Sequence, residues 1–136
     1  MEIEVRRTAV AVACAAALLV PLRARAQEPS LERQVKAAFL YKFAGYVEWP
    51  ANAFPAKDSP VTIGVYGDDA LAHELSELVE GRTSGGRPVT IVRIKSVDPL
   101  PDVRVLFVAR SETEDLSKIA EAARGKPVLI VAEDEY

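Results

Sequence analysis

The residues best equipped for acid–base or metal chemistry are the single histidine, His73, and the adjacent pair Asp68 and Asp69. A histidine acting as a general base needs a nucleophile or an orienting partner within hydrogen-bond reach. His73 instead lies on the face of its helix turned away from Leu71, Leu75 and Leu78, which predicts an exposed surface histidine. Asp68 and Asp69 stand where that helix begins, and acidic residues there cap free amides and oppose the helix dipole. Gly64 and Gly67 precede the same helix, but their spacing fits neither a nucleotide-triphosphate loop nor a dinucleotide fingerprint, so they predict a turn. No catalytic set, metal site or cofactor is expected.

Ligand binding has better candidates. Arg82 and Arg87 flank Thr83, Ser84, Gly85 and Gly86. Paired guanidinium groups around flexible backbone amides suit a carboxylate or phosphate, although a solvated connector has the same composition. Glu133, followed by Asp134 and Glu135, comes after the last strand, where open α/β sheets place ligand groups. It equally fits a charged tail. The ligand-binding candidates are therefore Arg82, Arg87 and Glu133.

For a protein partner the candidates lie near the first helix end, where Tyr41, Tyr46, Trp49 and Phe54 concentrate aromatic area and Lys42 and Glu48 supply polar handles. Aromatic anchors with a charged rim are what protein interfaces favour. Packing of the helix against a core would use the same aromatics, so both readings stand.

The elements that position these residues follow from periodicity. Ser30 is a plausible N-cap for a helix over residues 31–48, stopped by Trp49 and Pro50. Leu31, Val35, Phe39 and Phe43 recur at i+4 steps, and Tyr46 and Val47 extend the stripe. Between residues 37 and 47 the sole charge is Lys42, so this helix is buried on several sides or forms an interface. Strands are predicted over residues 61–66, 88–94, 103–109 and 127–132. Between them lie a helix over 70–80, ended by Gly81, and one over 111–124, started by a capping box of Ser111 and Glu114. Apolar strands alternating with amphipathic helices predict an α/β fold: a small, mostly parallel sheet covered by helices and preceded by an apolar N-terminal helix.

Upstream of that helix, residues 1–26 read as a cleavable secretory signal peptide. Arg6 and Arg7 close a polar start, residues 8–22 are apolar, and Ala24 and Ala26 place the cut before Gln27. About 15 apolar residues fall short of the roughly 20 needed to span a membrane. Cleavage removes Cys14, so the working chain has no disulfide, thiol nucleophile or cysteine-based zinc site. It also takes four of 17 basic and two of 20 acidic residues, which lowers the net charge from −3 to −5. Nucleic-acid binding normally needs a basic footprint, and none is visible. Residues 27–136 suffice for one small domain.

The stretch from Val35 to Pro50, Val-Lys-Ala-Ala-Phe-Leu-Tyr-Lys-Phe-Ala-Gly-Tyr-Val-Glu-Trp-Pro, resembles the opening signature of the YfiR-like family. Val61-Thr-Ile-Gly-Val-Tyr-Gly-Asp, Gly86-Arg-Pro-Val, Val105-Leu-Phe-Val and Pro127-Val-Leu-Ile-Val follow in register. The resemblance implies a non-enzymatic periplasmic regulator that restrains an inner-membrane diguanylate cyclase, and so governs cyclic-di-GMP and biofilm. It further implies relief by an outer-membrane lipoprotein; a homodimer is a separate expectation that the resemblance does not carry. Another membrane signalling protein can stand in the cyclase's place, and a periplasmic small-molecule sensor is the alternative. Family domains continue past the strand that ends near residue 132, which leads us to expect a domain incomplete at its C-terminus, with exposed apolar edge and poor solubility.

Overall fold

The computed structural model describes residues 30–134. The expected signal segment, its cut at Ala24, Ala26 and Gln27, and Cys14 lie outside the described residues.

Among the described residues, segments rich in β-branched apolar side chains form four strands, and the short polar pair Thr83–Ser84 forms a fifth. They are β1 (Val61–Tyr66), β2 (Thr83–Ser84), β3 (Arg87–Ile94), β4 (Val105–Val108) and β5 (Leu129–Ala132). Helices α1 (Leu31–Tyr46), α2 (Asp69–Val79) and α3 (Leu116–Ala122) complete a mixed α/β domain. The five strands are ordered β2-β3-β1-β4-β5. β1 pairs in parallel with β3 and β4, β4 pairs in parallel with β5, and β2 and β3 form an antiparallel hairpin.

Alternation along the strands divides the core into two clusters. Val61, Ile63, Val65, Val105 and Phe107 face α1 and α2, with Val89, Ile91, Leu129 and Val131 packed beside them. Leu106, Val108, Ile94 and Val103 face Ile119 of α3, with Tyr66, Leu116 and Ile130 at the margin. Leu71, Leu75 and Val79 of α2 are buried and Leu78 is partly so. Ala120 of α3 is exposed.

Local chemistry sets the helix ends. Ser30 caps α1 by accepting from the Arg33 amide, and Asp68 caps α2 by accepting from the Leu71 amide. At the third helix the sequence reading needs correcting. Residues 110–115 form a 3-10 turn, the α-helix starts only at Leu116, and no side chain caps either segment. Ser111 turns its hydroxyl toward Glu112 (3.5 Å), while the Glu112 amide is held by the Ala109 carbonyl. The expected capping box is therefore not formed. This turn closes against Gly67, whose φ is +92° and where an added Cβ would come within 2.5 Å of Glu112 Cγ. Only glycine satisfies both the left-handed backbone and that approach.

Candidate protein-interaction surface on helix α1

α1 is turned the opposite way from what its large side chains suggest. The face against the sheet and α2 is Ala37, Leu40 and Ala44, each no more than 2 % exposed. Small residues let the helix axis approach its neighbours closely, and only Leu40 fills depth. The ridge of bulky residues faces outward: Leu31 is 76 % exposed, Val35 44 %, Phe39 53 % and Tyr46 76 %. Phe39 and Phe43 stack on one another with ring centroids 5.9 Å apart. Beside this ridge runs a groove of about 290 Å³, floored by Phe107 and Val131 and walled by Val35, Phe39, Leu40 and Phe43. Among the described residues β5 is the outermost strand beside β4, and Val131 of β5 lines the groove. Contiguous exposed apolar surface of this kind marks interaction sites.

One end of the groove carries a charge network. The Lys36 ammonium lies 2.6 Å from Glu32 and also pairs with Glu133. The second Glu133 oxygen accepts from the Arg110 amide at 3.1 Å. Burial alone would push the Glu133 carboxyl up, but the Lys36 ammonium and the Arg110 amide outweigh it and hold it below its ordinary value of 4.5. Lys36 is correspondingly raised above 10.5, chiefly by its hydrogen bond to Glu133 and then by that to Glu32.

The signs give a pH prediction. The depressed Glu133 contributes stability above its unfolded-state pKa and loses it as pH falls through the folded value. The raised Lys36 contributes fully below its unfolded pKa and loses its share as pH rises through the folded one. Glu133→Gln should therefore cost about 1 kcal/mol at neutral pH and flatten the acid limb of stability against pH. Chemical denaturation across pH 3–7 checks this (~3 to ~7, spanning the ordinary carboxylate range); an acid limb unchanged in the variant refutes it.

The partner candidates read from sequence divide into two kinds. Tyr41 donates its hydroxyl to the Thr83 carbonyl at 2.5 Å, and the Arg82 guanidinium lies 6.0 Å from its ring. Trp49 donates its indole N–H to the Ala44 carbonyl at 3.2 Å and packs against the core. Phe54 also packs there, with the Arg87 guanidinium 3.9 Å above its ring. These three aromatics fasten α1 and the following loop to the domain. Lys42, Tyr46 and Glu48 stay exposed at the helix end.

The ligand candidates are likewise engaged. Arg87 gives one terminal nitrogen to the Ala56, Lys57 and Ser59 carbonyls at 2.9, 2.9 and 3.0 Å, pinning residues 55–60. Arg82 leans on Tyr41, and Glu133 serves the Lys36 network. Arg82, Arg87 and Glu133 thus do not converge on one site. His73 is exposed and lies 3.3 Å from Glu77. No three potential metal ligands cluster among the described residues, and none of the described helices is long and apolar enough to cross a membrane.

Sequence reasoning found the ridge but not the groove beside it, because Phe107 and Val131 reach α1 only through the sheet. It missed Lys36, whose partner is distant in the chain. It also missed Arg104, although one arginine inside the apolar run from Val103 to Ala109 was a visible signal.

No curated protein and no solved structure matches the chain. A family model described as YfiR/HmsC-like matches residues 33–136, from the first turn of α1 through β5 and beyond. The helix-to-Trp-Pro segment and the strands that frame the groove all fall inside that match, and the chain belongs to the YfiR/HmsC-like family.

Proposed function

We propose that this protein is a non-enzymatic periplasmic regulator that works by protein–protein contact, with the α1 ridge and groove as its docking surface. Its target is the periplasmic part of an inner-membrane diguanylate cyclase, whose output, and with it cyclic-di-GMP and biofilm formation, it restrains. An outer-membrane lipoprotein relieves the restraint by competing for the regulator. The family membership supports the signalling role. The observation that carries the surface assignment is the outward set of Leu31, Val35 and Phe39 along a groove closed by Phe107 and Val131. A helix that buries alanines while exposing a Phe, a Val and a Leu gains stability by covering them, at roughly 25 cal/mol for each Å² removed from water.

Phe39 is the most informative position. Phe39→Glu places a charge in the middle of the ridge without touching the buried face, and should weaken partner binding about tenfold or more. In cells that express the membrane cyclase, cyclic-di-GMP should rise as it does without the regulator, while Phe39→Leu should retain most restraint. Unchanged cyclic-di-GMP, with the Phe39→Glu protein folded and present at normal level, would remove α1 from the interface.

A further inference from the structure

Among the described residues, the buried polar or charged positions are Ser84 and Arg104. Arg104 stands just before β4 with a side chain only 7 % exposed. A desolvated guanidinium needs strong acceptors, yet its partners are modest. One terminal nitrogen donates to the Ala53 carbonyl at 3.1 Å. The other pairs with Asp102, whose side chain is 91 % exposed and so remains largely hydrated. The buried cation is neutralised by a carboxylate that barely leaves water.

The guanidinium borders a cleft of about 370 Å³ between the 3-10 turn at Ala51–Ala53 and the loops before β4 and β5. That volume lies in the range of small-molecule sites. The lining also includes Lys126, and much of the rest is apolar, with Leu100, Val103, Pro127 and Val128. A second hollow shares Asn52, Lys126, Pro127 and Val128 and extends to Trp49 and Pro50 at the end of α1. Two cations, Arg104 and Lys126, and one carboxylate, Asp102, thus line a single cleft.

We propose that this cleft binds a small monocarboxylate with an apolar body. Its carboxylate takes the place of Asp102 on Arg104 and is shared with Lys126, and its apolar part lies against Leu100, Val103 and Val128. Asp102 is an intramolecular stand-in that closes the site when it is empty. The site is separate from the α1 groove, so the proposal goes beyond the regulatory reading and is tested on the purified protein without any cyclase.

The probe is hexanoate, followed by backbone amide chemical shifts, with hexan-1-ol and inorganic phosphate as the neutral and purely ionic comparisons. Saturable shifts at Ala53, Val103, Arg104 and Val128 are expected with hexanoate and neither comparison. Lys126→Ala should weaken binding about fivefold or more, as expected for loss of a charge-assisted contact. Asp102→Asn should strengthen it severalfold by removing the competing carboxylate, a change that a purely structural Asp102–Arg104 pair would not produce. Arg104→Met should abolish binding; because it is buried and can unfold the protein, the exposed Lys126 and Asp102 variants carry the decision. The proposal is overturned if hexanoate gives no saturable shift, if hexan-1-ol or phosphate binds the same residues as tightly, or if neither Lys126→Ala nor Asp102→Asn changes the affinity.

Discussion

Truncating Leu40 to alanine is expected to lower the unfolding free energy by about 3 kcal/mol, while truncating its neighbour Phe39 should cost about 1 kcal/mol or less. The contrast is large because the two side chains leave α1 on opposite faces. Leu40 is 2 % exposed and sits among Ala37, Ala44 and the core side of the central strands. Its loss removes apolar burial and leaves a cavity that a helix lined by alanines cannot refill. Phe39 is 53 % exposed, and its described ring contact is Phe43. Urea denaturation of the two variants decides the matter. A Phe39 variant less stable than the Leu40 variant would mean that the bulky ridge, and not the alanine face, is what α1 buries.

Trp49→Ala should be nearly as damaging, at about 3 kcal/mol. The indole is partly buried against the first core cluster and returns a hydrogen bond to the Ala44 carbonyl, one of the acceptors freed where α1 ends. Trp49→Phe keeps most of the apolar contact and loses that bond, so it should cost about 1 kcal/mol. Thermal or urea melts of the series Trp, Phe, Ala test the order; equal stability of Trp49→Ala and the parent would show that the indole is not a fastening. The result bears on function as well. Loss of regulation in Trp49→Ala would report an unfolded helix end, whereas exposed Tyr46 and Lys42 can be changed with little effect on the fold.

Strands β1, β3, β4 and β5 and helix α2 were legible because each is a short segment whose chemistry is local, whereas β2 lies in the segment between Arg82 and Arg87 read as a connector. Val61–Tyr66 and Val105–Val108 are apolar runs bounded by turn residues, and α2 has leucines at i+4 with an aspartate cap. The orientation of α1 was not legible from residue size. Hydrophobic spacing marks a stripe, but which stripe faces inward depends on how closely the neighbouring elements approach, and here close approach selects alanine. The third helix misled for a related reason: Ser111 and Glu114 have capping-box spacing, but contact with Gly67 holds that segment as a 3-10 turn. Tyr41, Trp49, Phe54 and Arg87 had side chains suited to recognition, yet each found an intramolecular partner far enough along the chain, or across a helix end, to be invisible in the sequence. Arg104 and Lys36 owe their roles to the same kind of distant closure.

The bond between Lys36 and Glu133 spans 97 residues, and it imposes an order of assembly. α1 is the first described element to be made, yet its contacts are to α2, β1, β2 and β4, all of which come later. The central strand β1 can pair with β3 before β4 exists, and β5 can join only after β4 is in place. The alanine face of α1 therefore waits for about 70 residues of chain before its floor is complete, and its N-terminal turns wait longer still for Glu133. Such non-local closure slows folding and leaves apolar surface open in the meantime. A chain made N-terminus first therefore leaves the alanine face of α1 open until β4 has followed, while the Phe39 ridge stays exposed even when the fold is complete.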